Sequence, residues 1–161
     1  MALNKLSETG IGEDIIRSYV QFGCAEIHAK SLYEKTIAEL NNGLIDVEDS
    51  EAVQKHLERA EMFKEDINDY ANMRRDIMRK LLDLFPNGDK SMWCQAKHLG
   101  IGMMTLFEAY QASDDDAELL HMAYQANEAF TKAMSRFLGV EITSCAACFA
   151  DALKGGNDGE L

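Results

Sequence analysis

The sequence predicts an all-α fold: an up-down four-helix bundle of long helices with a short fifth helix near the C-terminus. Three observations point there. Apolar residues recur at alternating three- and four-residue spacing along four long stretches, the period of an amphipathic helix. The 161-residue chain contains a single Pro, so helices can run far without interruption. Hydrophobic residues make up 47% and charged residues 27%, a mix that suits one folded domain with a real core. One bundle domain over 1–154 is expected, followed by a small, polar, flexible tail over 155–161.

The first helix is expected over about 13–40. Ile15, Phe22, Ala29 and Thr36 fall seven apart, and so do Tyr19, Glu26, Tyr33 and Leu40. Together they make one stripe, and Asn41-Asn42-Gly43 tolerates the left-handed backbone that ends helices. The second helix is expected over about 50–85, capped by Asp49 or Ser50. Its stripe is Ala60, Phe63, Ile67, Tyr70, Arg74, Ile77, Leu81 and Leu84, the seam of a bundle. Phe85-Pro86-Asn87-Gly88 stops it.

The third helix should run from about 90 to 112 with Asp89 as cap and Trp93, Ala96, Gly100, Met103, Phe107 and Tyr110 as its stripe. Gly100-Ile101-Gly102 weakens a helix by about 1 kcal/mol per Gly relative to Ala, which points to a close helix crossing or a kink. Ser113 reads as the cap of the fourth helix, with Asp114, Asp115 and Asp116 in its first turn favouring the dipole. Leu120, Tyr124, Asn127, Thr131, Met134 and Leu138 form its stripe, and Gly139 ends it. The fifth helix is expected over about 144–153. Short connections make two αα-hairpins in sequence, hence the up-down order.

The formal net charge is −12, from 28 Asp+Glu against 16 Lys+Arg. Such a chain repels nucleic-acid phosphates and anionic lipid surfaces and favours basic partners or cations. The stretch over 1–12 lacks the apolar segment of a signal peptide, and no apolar run approaches a membrane span. These features predict a cytoplasmic protein that contacts neither nucleic acid nor membrane. Four Cys are then read as reduced thiols or metal ligands.

The sharpest chemical pattern is a repeated pair. Cys24 and His28 lie four apart on the first helix, and Cys94 and His98 lie four apart on the third. That spacing puts each pair on one helix face, and thiolate with imidazole is the donor set zinc prefers. Meeting of the two faces would complete a tetrahedral structural site. In an up-down bundle the first and third helices are diagonal, which works against such a meeting. Each pair also has a plainer account, a small buried thiol beside a flanking imidazole. Cys145-Ala-Ala-Cys148 at the start of the fifth helix, with His121, supplies reserve ligands; its plainer account is an Ala/Cys face packed on the bundle.

Carboxylates offer further readings. A ferritin-like di-iron site needs Glu on two helices and Glu-x-x-His on two others. Glu118 and His121 fit on the fourth helix, with Glu108 and Glu26 or Glu34 as companions, but Glu58, Glu61 and Glu65 have no His three residues on. The run of Glu58, Glu61, Glu65, Asp66 and Asp69 could hold magnesium, yet Arg59 and Lys64 interleave with it and a solvated face explains it better. Glu26 and Arg74 both fall on core stripes, which predicts a buried ion pair, a polar pocket inside the bundle or a subunit contact.

No catalytic set is complete. The leading expectation is therefore a non-catalytic, acidic helical-bundle interaction protein of adaptor, regulatory or inhibitor type, forming a homodimer through an apolar or Met-rich face and binding a protein partner. The alternatives are a metal-binding bundle with a Cys/His zinc site and a ferritin-like carboxylate enzyme.

Overall fold

A computed structural model describes residues 11–142. Among them the chain is all-helical: α1 spans Ile11–Asn41, α2 Ser50–Leu84, α3 Lys90–Ala112 and α4 Ala117–Leu138. The expected fifth helix and the tail over 155–161 lie outside the described residues. No helix among the described residues is long and apolar enough to cross a membrane.

Local chemistry sets the helix ends. Gly43 takes φ +69° just after α1. The carboxylate of Asp49 accepts from the amides of Glu51 and Ala52, and that of Asp89 from Ser91 and Met92. Each such cap contributes about 1 kcal/mol. Phe85 closes α2 with its amide on the Leu81 carbonyl, and Gly139 closes α4 in the left-handed conformation.

The start of α4 differs from the expectation. Its cap is Asp116, which accepts from Glu118 and Leu119, and not Ser113. Ser113 instead ends α3, donating its amide to the carbonyls of Ala109 and Tyr110. Its hydroxyl donates to Tyr110 and accepts from the Asp116 amide. Asp115 sits at φ +53° in the link. Ser113 and the three Asp that follow it are all competent caps, and the left-handed turn at Asp115 selects the last.

α1 and α2 pack along one another as one hairpin, and α3 and α4 as a second. α1 also lies against both α3 and α4. It buries two faces. Ile16, Tyr19, Val20, Cys24 and Ile27 enter the shared core, whereas Ala29 and Thr36 are buried further along. α2 reaches that core only near its C-terminal end, through Met78 and Leu81. From α3 come Ala96, Met103, Met104 and Phe107; from α4 come Ala123, Phe130, Ala133, Met134, Phe137 and Leu138. The stripes expected for α3 and α4 are the faces they bury.

Two glycines let α1 settle close to α3. A β-carbon on Gly100 would stand 2.6 Å from the Tyr19 hydroxyl and 3.0 Å from the Phe130 ring. One on Gly23 would collide with the Met104 sulfur. Gly102 faces open space.

These surroundings separate the two glycines of α3. Gly100→Ala should lower unfolding free energy by about 1–3 kcal/mol, because it overpacks a full core. Gly102→Ala should raise it by about 0.5–1 kcal/mol through helix propensity alone. Urea unfolding followed by circular dichroism checks both; equal effects would refute the close seat of α1.

Candidate functional site

Above α1, α2 and α3 diverge and leave a cleft of about 540 Å³ between them. Tyr19, Gly23, Glu26, Ile27 and Lys30 of α1 form its floor. Arg74, Arg75, Met78, Arg79 and Leu82 line the α2 wall, and Trp93, Lys97, Ile101, Met104, Thr105 and Glu108 the α3 wall. One clip closes the end where the walls join: Trp93 Nε1 donates to the Met78 carbonyl at 3.2 Å.

The polar heart of the cleft is Arg74. Its Nη2 donates to Glu26 Oε2 at 3.0 Å and its Nη1 to the Tyr19 hydroxyl at 3.3 Å. The guanidinium carbon also lies 5.6 Å from the centre of the Tyr19 ring, a cation–π distance. Tyr19 is held in turn by Phe130, ring centres 4.8 Å apart. The two charged side chains are only 15% and 12% exposed. Burial works against the Arg74 charge, but the hydrogen bonds and charges of Tyr19 and Glu26 outweigh it and hold its pKa above the ordinary guanidinium value. Arg74 Nε is buried without an acceptor among the described residues, so the arrangement is not free of cost. This is the buried ion pair expected from the two core stripes. Lys30 extends it, lying 3.9 Å from Glu26 and 3.6 Å from Glu108.

A second exposed feature lies at the other end of the α1–α2 hairpin. α3 ends about one turn beyond Glu108, the level marked by Lys30, while α1 runs on for about three turns to Asn41. The hairpin therefore projects as a two-helix arm. Glu39 and His56 join its helices at 3.0 Å. At its tip Leu44 is 72% and Val47 71% exposed. From 42 to 51 the chain carries Asp46, Glu48, Asp49 and Glu51 and no Lys or Arg.

The residues singled out as metal ligands fall in different settings. Cys24 is buried, whereas Cys94 and His98 are exposed on α3, with His98 Nδ1 2.8 Å from the Cys94 carbonyl. Gly23 opposes Met104 and Tyr19 opposes Gly100, so Cys94 lies about ten residues, or ~15 Å, short of the level of Cys24 along α3. The two pairs, with His28 half-buried, are thus not brought together, although α1 and α3 do touch. Burial pushes the Cys24 thiol up to about 12, so it stays protonated at neutral pH. His121 is exposed beside Gln125 at 3.2 Å. Cys145 and Cys148 lie outside the described residues. Among the described residues no group of three or more His, Cys, Asp or Glu could hold a metal ion.

The carboxylates are likewise dispersed. Glu26 and Glu108 are in ion pairs, Glu34 and Glu118 face solvent, and Glu58, Glu61 and Glu65 are exposed on α2. Comparison with protein-family models, curated proteins and solved structures yields no match to this chain.

Arg75, Arg79 and Lys97 did not stand out in the sequence, because single basic residues on exposed helix faces are commonplace. A signal was present nonetheless. Arg75, Met78, Arg79 and Leu82 fall at helical spacing, as do Trp93, Lys97, Ile101, Thr105 and Glu108, two faces that set cations beside large apolar groups.

Two measurements test this geometry. Glu26→Ala strands a half-buried cation and should cost about 2–3 kcal/mol, below the usual range for a fully buried pair. Replacing both partners, as Glu26→Leu/Arg74→Met, should return most of that loss in a double-mutant cycle of urea unfolding; additive losses would mean the pair is not coupled. In a Cys145→Ser/Cys148→Ser background, Cys94 should react with iodoacetamide at pH 8 and Cys24 only after unfolding. Equal labelling of both thiols in the folded protein would contradict the burial of Cys24.

Proposed function

We propose that the protein is a non-catalytic interaction protein that docks a protein partner through the tip of the α1–α2 arm. The observation that carries this reading is the pair Leu44 and Val47, both more than 70% exposed on a projecting tip ringed by acids. Aliphatic side chains held out on a rigid hairpin, with charges around them, have the make-up of an interface core and rim. The matching surface is an apolar pocket with a basic border. A homodimer joined tip to tip would set like charges against one another, so at this surface the reading favours a basic partner over a second copy.

Support for a non-catalytic role comes from the cleft. Among the described residues it offers no His or thiol, and both of its carboxylates are tied to cations. The up-down-up-down course belongs to the same reading. It is supported by Glu39 with His56 across α1 and α2, Lys30 with Glu108 across α1 and α3, and Tyr19 with Phe130 across α1 and α4. A cytoplasmic setting fits the free thiols Cys24 and Cys94.

The test compares the wild-type chain with Leu44→Ser/Val47→Ser. Proteins retained from source cells by the first but not the second are purified and titrated by calorimetry. The expected result is a basic partner whose affinity falls about 30-fold or more in the variant, the loss of a hot-spot pair, while thermal stability is unchanged. A retained set indifferent to both substitutions, or an identified partner binding both proteins equally, overturns the reading.

A further inference from the structure

The cleft between α2 and α3 is separate from the tip of the arm. Its charge is the reverse of the chain's. Five of the 16 basic residues line it, against two of the 28 acids. Those two acids are already satisfied, Glu26 by Arg74 at 3.0 Å and Glu108 by Lys30 at 3.6 Å. Arg79 pairs with Asp76 at 3.2 Å on the exposed flank of α2.

Two cations then remain without a carboxylate within 4 Å among the described residues. Arg75 on the α2 wall has only the Asn72 side-chain carbonyl at 3.5 Å. Lys97 on the α3 wall lies 5.2 Å over the Trp93 ring. Between them the surface is apolar: Ile27, Met78, Leu82, Trp93, Ile101 and Met104. Ile101 is 48% exposed there, so this apolar surface is partly open to water.

We infer that the cleft binds an amphiphilic anion, an alkyl monocarboxylate whose chain lies along the apolar lining and whose head meets Arg75 and Lys97. Each part of the ligand follows from a part of the cleft. Arginine's fork accepts a carboxylate in two parallel hydrogen bonds. The apolar lining gains about 25 cal/mol per Å² of surface removed from water. A cleft of about 540 Å³ falls among sites that hold small molecules, which span about 300–1,000 Å³. Two cations without a carboxylate partner among the described residues suit a head of low charge. A polyphosphate would meet Glu26 and Glu108 as well, and a nucleic acid would meet the net charge of −12. That wider field is screened over about 8 Å at physiological salt, so it does not bar a small anion from the cleft.

Trp93 is the chain's single Trp and lines the cleft, so its fluorescence reports occupancy. The full chain is titrated with decanoate below its micellar concentration, with decan-1-ol and decylammonium as controls, and calorimetry runs in parallel. The expected result is saturable one-to-one binding of decanoate by both readouts. Affinity should fall at least tenfold in Arg75→Gln/Lys97→Gln, and decylammonium should give no saturable response. Both residues are exposed, so the variant should keep the circular dichroism and melting temperature of the parent; a second variant, Ile101→Ser, should weaken decanoate through the apolar lining instead of the cations. No saturable binding, equal binding of decan-1-ol or decylammonium, or undiminished binding by the Arg75/Lys97 variant overturns the inference. So does binding of an acidic amphipathic peptide but not of decanoate, which would give the cleft to a protein partner.

Discussion

The close seat of α1 on the α3–α4 hairpin is the constraint from which the other features follow. In a closed bundle each helix has two neighbours and a diagonal opposite. Here the missing side chains at Gly23 and Gly100 let α1 approach α3, its expected diagonal, and let Tyr19 reach Phe130 on α4. α1 thereby spends one face on the second hairpin and one on α2. With that neighbour position taken, α2 is held outside and meets the common core only at its C-terminal end. The gap this leaves between α2 and α3 is the cleft. The same geometry explains why α2 is the most exposed of the four helices, with Leu57, Met62, Met73 and Leu84 all substantially open to solvent.

That constraint also explains what could be read from the sequence and what could not. α3 and α4 each bury one face, and their stripes from Trp93 to Tyr110 and from Leu120 to Leu138 are legible as single 3–4 patterns. α1 buries two faces. The heptads through Ile15 and Tyr19 catch only part of what it buries: Tyr19 enters the shared core, but Ile16, Val20, Cys24 and Ile27, which also fill it, fall between the heptads and blur the period. Gly100 was conspicuous because Gly102 stands beside it, yet only Gly100 is at a crossing. Gly23 has no such neighbour to draw attention, although it does the same work on the opposing helix. At the head of α4, four competent caps in a row made the boundary ambiguous, and a left-handed turn at Asp115 decided it.

The chemistry was less legible than the fold, for a geometric reason. A pair at i and i+4 fixes only which helix face two residues share, and says nothing of the level at which that face meets another. Cys24 with His28 and Cys94 with His98 satisfy the first condition. The offset between α1 and α3 set by Gly23 against Met104 governs the second, and it separates them. Glu26 and Arg74 were legible because both stood on apolar stripes, and a charge on a stripe is costly unless another charge meets it. The cleft takes one or two residues from each turn of three helices, so no segment of the chain displays it.

Charge is partitioned along the α1–α2 hairpin. The tip and the first half of α2 are rich in acids around exposed aliphatic groups; the second half carries Arg74, Arg75 and Arg79 facing the cleft. Between these halves stands the Arg74–Glu26–Tyr19 cluster, where α1, α2 and, through Phe130, α4 are tied by polar and aromatic contacts. A two-helix arm has little core of its own, and beyond that cluster its helices are joined mainly by Ala29, Thr36 and Ala60 and by Glu39 with His56. The direction in which the arm points is therefore set at its root. Because Arg74 is at once a wall of the cleft and the anchor of that root, a ligand that drew on its hydrogen-bonding capacity would act on the base of the arm before any other part of the fold. Arg75 and Lys97, which do not hold helices together, are free to take a ligand without that consequence.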